Sequence, residues 1–156
     1  EGIMYFLNFS LHFDRDRGLD QGRLCLRHLE KGTVEIWTAT SSTNVKQYRE
    51  SFHKRGGLIP PEYRVPGLKS WQVHTKPIDL SHNRGVQGNF YKIDPHQITT
   101  DKGGVRSDFG IHKDANVPGS LGCIVLTADR FEQFEKEMSQ LSAQGVNSLP
   151  LFVTYS

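Results

Sequence analysis

The chain has 156 residues, 36% of them apolar, and a formal net charge of +2. That length suits one domain, spanning residues 1–156, with a real core. It has no run of about 18 apolar residues to cross a membrane. A charge this close to balance gives no footprint for nucleic acid, and two cysteines cannot build a disulfide framework.

The apolar stretch over residues 2–11 lacks a basic flank and a small-residue cleavage site, so it reads as a first strand (residues 4–9) and not as a signal peptide. Residues 14–22 form a turn-rich polar connection. Residues 23–29 and 33–39 are strands around Glu30, Lys31 and Gly32, a hairpin pattern. Cys25, inside the first of these, is expected to be packed and inert, as buried thiols behave like small apolar groups. Val45, Tyr48 and Phe52 recur at helical spacing until Gly56 and Gly57 stop the pattern. Lys46, Arg49, Lys54 and Arg55 accompany that short helix as a solvated face.

Leu58, Ile59, Pro60 and Pro61 begin an extended segment. Residues 71–75, 90–93, 107–112 and 123–126 read as strands, with turn chemistry at residues 116–119. Thr127 or Asp129 caps a second helix that turns Phe131, Phe134, Met138 and Leu141 to one face, and Gly145 ends it. Residues 149–155 form the last strand. The sum is a β-rich α+β domain of seven to nine strands and two helices.

The chemistry concentrates in residues 109–126. His112 precedes Cys123 with ten residues between them, and Gly122 stands directly before the cysteine. A free thiol is only a few per cent thiolate at neutral pH, and a histidine partner changes that. Two adjacent strand ends joined by a loop would bring both side chains to one end of a sheet. Gly122 would let the backbone aim N–H groups at a developing oxyanion. Two other readings stand beside this one. The first is a core cysteine near an unrelated histidine. The second is a metal site joining His112 and Asp114 to His74, His82 or His96, though no histidine pair shows the helical spacing of His-Glu-x-x-His. Chain order sets the pair apart from papain-type enzymes, where Cys comes first, and from caspase-type ones, where His lies about 50 residues upstream.

Gly110-Ile111-His112, followed by Gly119-Ser120-Leu121-Gly122-Cys123-Ile124, resembles the signature of the L,D-transpeptidase (YkuD-like) catalytic domain. Residues 88–93 are similar to that family's Gly-x-Tyr/Phe-x-Ile segment. Residues 57–61 look like its Gly-x-x-Pro-x-Gly turn, with Glu62 where Gly is usual. The clear likeness covers about residues 86–126. The loop between His and Cys is shorter than usual, as in the branch that includes effectors secreted between bacteria. Lys113 stands where Gly commonly follows the His, and Leu121 where a second His often stands.

The resemblance implies an α+β, β-rich, mixed β-sandwich with two short helices. It also implies cysteine-dependent acyl transfer on peptidoglycan stem peptides, with no cofactor, no metal and no nucleic acid. The reaction would be L,D-transpeptidation, D-amino-acid exchange or L,D-carboxypeptidation. Cys123 would be the nucleophile, His112 its base, and Ser120 and Gly122 would shape the loop. The carbonyl of Lys113 would orient the imidazole, with the Asp114 carboxylate as the alternative. Arg106, Ser107 and Asp108, just before the histidine strand, are candidates to meet substrate charges. Such a protein would work in the periplasm or cell envelope, or be secreted or delivered there, with an immunity protein as partner where it is an effector. A non-enzymatic cell-wall-binding module of the same fold is the rival reading.

Overall fold

The structure, a computed structural model, describes residues 4–12, 22–41, 52–114 and 122–156. Its strands are β1 (Tyr5–Leu11), β2 (Gly22–His28), β3 (Gly32–Thr40), β4 (Trp71–His74), β5 (Ile78–Leu80), β6 (Gly88–Asp94), β7 (Gln97–Thr99), β8 (Val105–Ser107), β9 (Gly110–Lys113), β10 (Ile124–Leu126) and β11 (Ser148–Tyr155). The α-helix among the described residues is α1 (Ala128–Ala143), and Glu62–Arg64 form a 3-10 turn.

The strands pair in the order β4-β11-β1-β2-β3-β10-β9-β6. A further pairing, Gln72 with Asp94 and Val73 with Ile93, joins β4 to β6 and closes the sheet into an eight-stranded barrel. Closure leaves none of these eight strands with two free edges to hide. β5 extends the sheet beyond β6, and β7 and β8 form a separate hairpin. Pairing is antiparallel except at β1–β11 and β9–β10.

Strand alternation builds the core. Leu7 and Phe9 of β1, Leu24 and Leu26 of β2, Trp37 and Ala39 of β3, Val73 of β4, Tyr91 and Ile93 of β6, and Leu149, Leu151 and Val153 of β11 all face inward and are buried. One end of the barrel is covered by α1. Its Phe134 meets Trp37 and Tyr91 edge-on, with ring centroids 5.2 Å apart in each case. The helix ends at Gly145 (φ +89), where Gly145 N–H donates to Ser142 O and Val146 N–H to Leu141 O. That is the paired-bond stop that a left-handed glycine permits.

At the other end, Tyr155 packs on Phe9 and donates from its hydroxyl to Ile59 O at 2.6 Å. Trp71 donates to Pro60 O and meets Phe109 edge-on. The segment around residues 57–65 and the β7–β8 hairpin therefore close this end. No helix among the described residues is long and apolar enough to cross a membrane.

The expected mixed β-sandwich with two short helices is corrected by this topology. The sheet is a closed barrel, and its described helix runs for 16 residues. Strand periodicity shows which face of each strand is buried, and both architectures bury one face of every strand. What separates them is the β4–β6 seam, a pairing made between strands by backbone hydrogen bonds, which leaves no mark in composition. Residues 45–51 of the expected helix and the connection at residues 14–21 lie outside the described residues. The strand expected over residues 107–112 is broken at Asp108, whose φ of +66 and N–H donation to His96 O end β8 and start a new direction before β9. β5 and β7, three residues each, were too short to announce themselves.

Candidate active site

β9 and β10 lie side by side and parallel, with Ile111 opposite Ile124 and His112 opposite Val125. Ile111 and Ile124 face the core, so alternation turns His112 and Val125 to the outer face. Cys123 comes directly before β10, the strand paired with the one that carries His112. The two strands that the sequence expectation set side by side, β9 and β10, are neighbours.

His112 is only 7% exposed. Its Nδ1 lies 2.8 Å from Lys113 O. A carbonyl can only accept, so Nδ1 carries the proton and Nε2 keeps its lone pair free to act as a base. Burial, the largest influence, lowers the imidazole pKa, against the opposing effects of the Lys113 carbonyl and the Asp114 charge. The ring is therefore neutral at neutral pH, the form a general base needs. Of the two expected orienting groups, the Lys113 carbonyl makes the contact. Asp114 acts on the ring through charge, and its buried Oδ1 has no partner among the described residues.

Phe90 completes the imidazole's surroundings. Its ring stacks on His112 with centroids 6.1 Å apart and planes 23° from parallel. Phe90 can lie there only because residue 110 has no side chain: a Cβ on Gly110 would fall 2.1 Å from the Phe90 ring. Sequence reasoning missed this pair. The available signal was an isolated glycine inside a strand pattern, which marks a close approach.

Cys123 is partly exposed, and its thiol donates to Asp108 O at 3.6 Å. Cys25 is free as well, but 5% exposed in β2. Beside Asp108 opens a cleft of about 520 Å³, lined by Arg55, Gly56, Val105, Arg106, Ser107 and Asp108. The side chains of Ser107 and Asp108 are exposed on its wall, where Ser107 Oγ donates to Asp108 Oδ2. His96 lies 3.5 Å from the Asp108 carboxylate. A larger groove of about 1150 Å³ runs along α1 and includes Tyr91 and Glu135, but neither Cys123 nor His112.

Arg106, expected among substrate contacts, is 3% exposed. Its Nη1 donates to Phe52 O at 2.8 Å and Leu58 O at 2.9 Å, and its Nη2 to Gly57 O at 2.7 Å. The guanidinium lies over the Phe109 ring, 5.2 Å from its centroid. Gly122 packs against it at φ +103; a Cβ there would sit 2.7 Å from Arg106 Nη2. Ser120 lies outside the described residues.

No group of three or more His, Cys, Asp or Glu side chains that could hold a metal occurs among the described residues. His74 instead pairs with Asp94 at 2.6 Å, and His96 with Asp108, at separate places. Comparison of the chain with family models, curated proteins and solved structures returns no match.

Proposed function

We propose that this protein is a cysteine-dependent acyl-transfer enzyme acting on peptidoglycan stem peptides in the bacterial cell envelope. One observation carries the chemistry: His112, neutral and fixed through Nδ1 on Lys113 O, stands on the strand paired with the one Cys123 leads into, and the Cys123 thiol donates to the backbone of Asp108, a residue that lines a cleft. The substrate class is supported by the motif over residues 110–124 alone.

In this reading Nε2 of His112 takes the Cys123 proton, and the thiolate attacks the carbonyl of an amide that precedes a D-residue. The oxyanion of the tetrahedral adduct is met by the N–H groups of Gly122 and Cys123. Collapse breaks the C–N bond. The imidazolium returns its proton to the leaving amine, and a thioester to Cys123 remains. An acceptor amine then gives a new amide, which is transpeptidation or D-amino-acid exchange. Water gives the free acid, which is L,D-carboxypeptidase activity. Every step uses side chains and backbone alone.

The test is incubation with disaccharide-tetrapeptide fragments, followed by mass spectrometry, with Cys123→Ala alongside. Release of the terminal D-residue and an acyl adduct on Cys123 are expected from the wild type, and neither from Cys123→Ala. Turnover retained in Cys123→Ala would overturn the thiol mechanism. Unchanged fragments that nonetheless bind the wild-type protein would move the assignment to a wall-binding module.

A further inference from the structure

Arg106 is a full positive charge with almost no access to water, and a buried charge is costly unless something answers it. Three carbonyls take up its N–H groups, from Phe52, Gly57 and Leu58. Carbonyls satisfy hydrogen bonds but carry no net charge. No carboxylate among the described residues lies within ion-pair distance of it. The same guanidinium touches the backbone of Gly122, the residue before Cys123, so closely that one methyl group would not fit between them. Among the described residues, then, a cation with no carboxylate partner is held against the residue next to a partly exposed thiol.

We propose that Arg106 is a positioning residue for Cys123. Its guanidinium, locked by three carbonyls against Gly122, supplies the fixed positive charge that favours thiolate over thiol. This rests on the reading of Cys123 as the nucleophile. The two groups interact in the expected sense, since charge on Cys123 favours the protonated guanidinium, while burial pushes Arg106 down to about 10 and so leaves it charged at neutral pH. Linkage requires the converse: the cation favours the thiolate.

Of the other described groups, His112, Tyr155, Glu62 and Asp108 do not supply that charge. His112, from β9, is held neutral by burial. Tyr155, from β11, is a phenol that burial keeps protonated. Glu62, beyond Tyr155, is itself raised to about 7 by burial. Asp108 acts the other way. Its carbonyl accepts from the thiol, and its carboxylate opposes the thiolate, but that side chain is 76% exposed, where solvent screens it, and lies beside His96. Arg55 reaches the same cleft and is exposed.

The experiment is the rate of iodoacetamide alkylation of Cys123 against pH, read by peptide mass spectrometry, with Cys25 as the internal slow thiol. The thiolate displaces iodide, so the profile reports ionisation directly. Arg106→Gln should raise the midpoint by about one pH unit and slow the reaction at pH 7 about tenfold, while Arg106→Lys, which keeps the cation, should stay nearer the wild type. An unchanged midpoint in a folded Arg106→Gln protein overturns the proposal. If that variant does not fold, His112→Ala decides. With Arg106 in place its midpoint should remain below the ordinary thiol value of about 8.5 and should not move with salt, because a buried charge is screened little. A midpoint at the ordinary value, or one that climbs with salt as stabilisation by Arg55 would require, overturns the role of Arg106. No stem peptide is involved, so failure on peptidoglycan leaves this result standing. Turnover with no dependence on Arg106 would sink this inference alone.

Discussion

At φ +103 Gly122 occupies backbone space that an L side chain enters only with strain, and the guanidinium of Arg106 fills the place a Cβ would need. Gly145 has a similar φ of +89 but meets nothing within 4 Å. The two positions therefore separate the cost of the dihedral from the cost of the collision. Gly145→Ala should lose about 1 kcal/mol of stability from backbone strain. Gly122→Ala should lose about 2 to 3 kcal/mol, because Arg106 must also shift off its carbonyls. Urea unfolding of both variants measures the difference. Equal losses would mean that Arg106 yields freely and is not locked. The glycine before the cysteine was legible as a requirement in the sequence. Its reason was not, since Arg106 lies 16 positions upstream in a strand and only the fold brings the two together.

Among the elements, α1 was the most legible, because Phe131, Phe134, Met138 and Leu141 recur at helical spacing and all four are buried. β11 was equally plain as a strand, yet its attachment at one point was hidden. Glu62 reaches from the 3-10 turn and accepts the Val153 N–H through Oε2 at 2.8 Å. Burial raises its pKa from 4.5 to about 7, and the hydrogen bond from Val153 opposes the shift without cancelling it.

The sign of the linkage follows from that shift. A carboxyl whose folded pKa lies above its unfolded one contributes stability that is fully present below the unfolded value and is lost as pH rises through the folded value. Wild-type stability should fall by about 2 kcal/mol between pH 4.5 and pH 8 from this group, with partial exposure discounted. Glu62→Gln keeps an acceptor for Val153 and removes the titration. Thermal unfolding across that range should be flatter in the variant, which should be the more stable protein at pH 8. Parallel curves would show that Glu62 ionises without penalty.

Across the whole molecule, one line of contacts runs from the barrel seam to the thiol. Trp71 sits on β4, the strand that closes the barrel, and is fully buried. It meets Phe109 with centroids 5.0 Å apart, Phe109 carries the Arg106 guanidinium, and Arg106 abuts Gly122. Barrel closure and the placement of Cys123 are thus the same packing problem. This also explains what the sequence could not reveal. The adjacency of the strands around His112 and Cys123 could be read from local spacing. The support beneath Cys123 comes from residues 52–58, 71, 106 and 109, which share no local pattern.

Trp71→Ala should therefore do two things. A large cavity at the seam should cost about 3 to 5 kcal/mol, or on the order of 10 °C in unfolding temperature for a chain of this length. Below that transition, alkylation of Cys123 at pH 7 should still be several-fold slower than in the wild type, because Phe109 and Arg106 lose their backing. Trp37 provides the comparison. It is as deeply buried, but it packs on Phe134 and donates to Gln133 at the end covered by α1. Trp37→Ala should lower the unfolding temperature by a similar amount and leave the Cys123 rate, measured well below that temperature, near the wild-type value. If both variants slow the thiol equally, loss of stability alone explains the effect, and the contact line from seam to Cys123 has no special part in it.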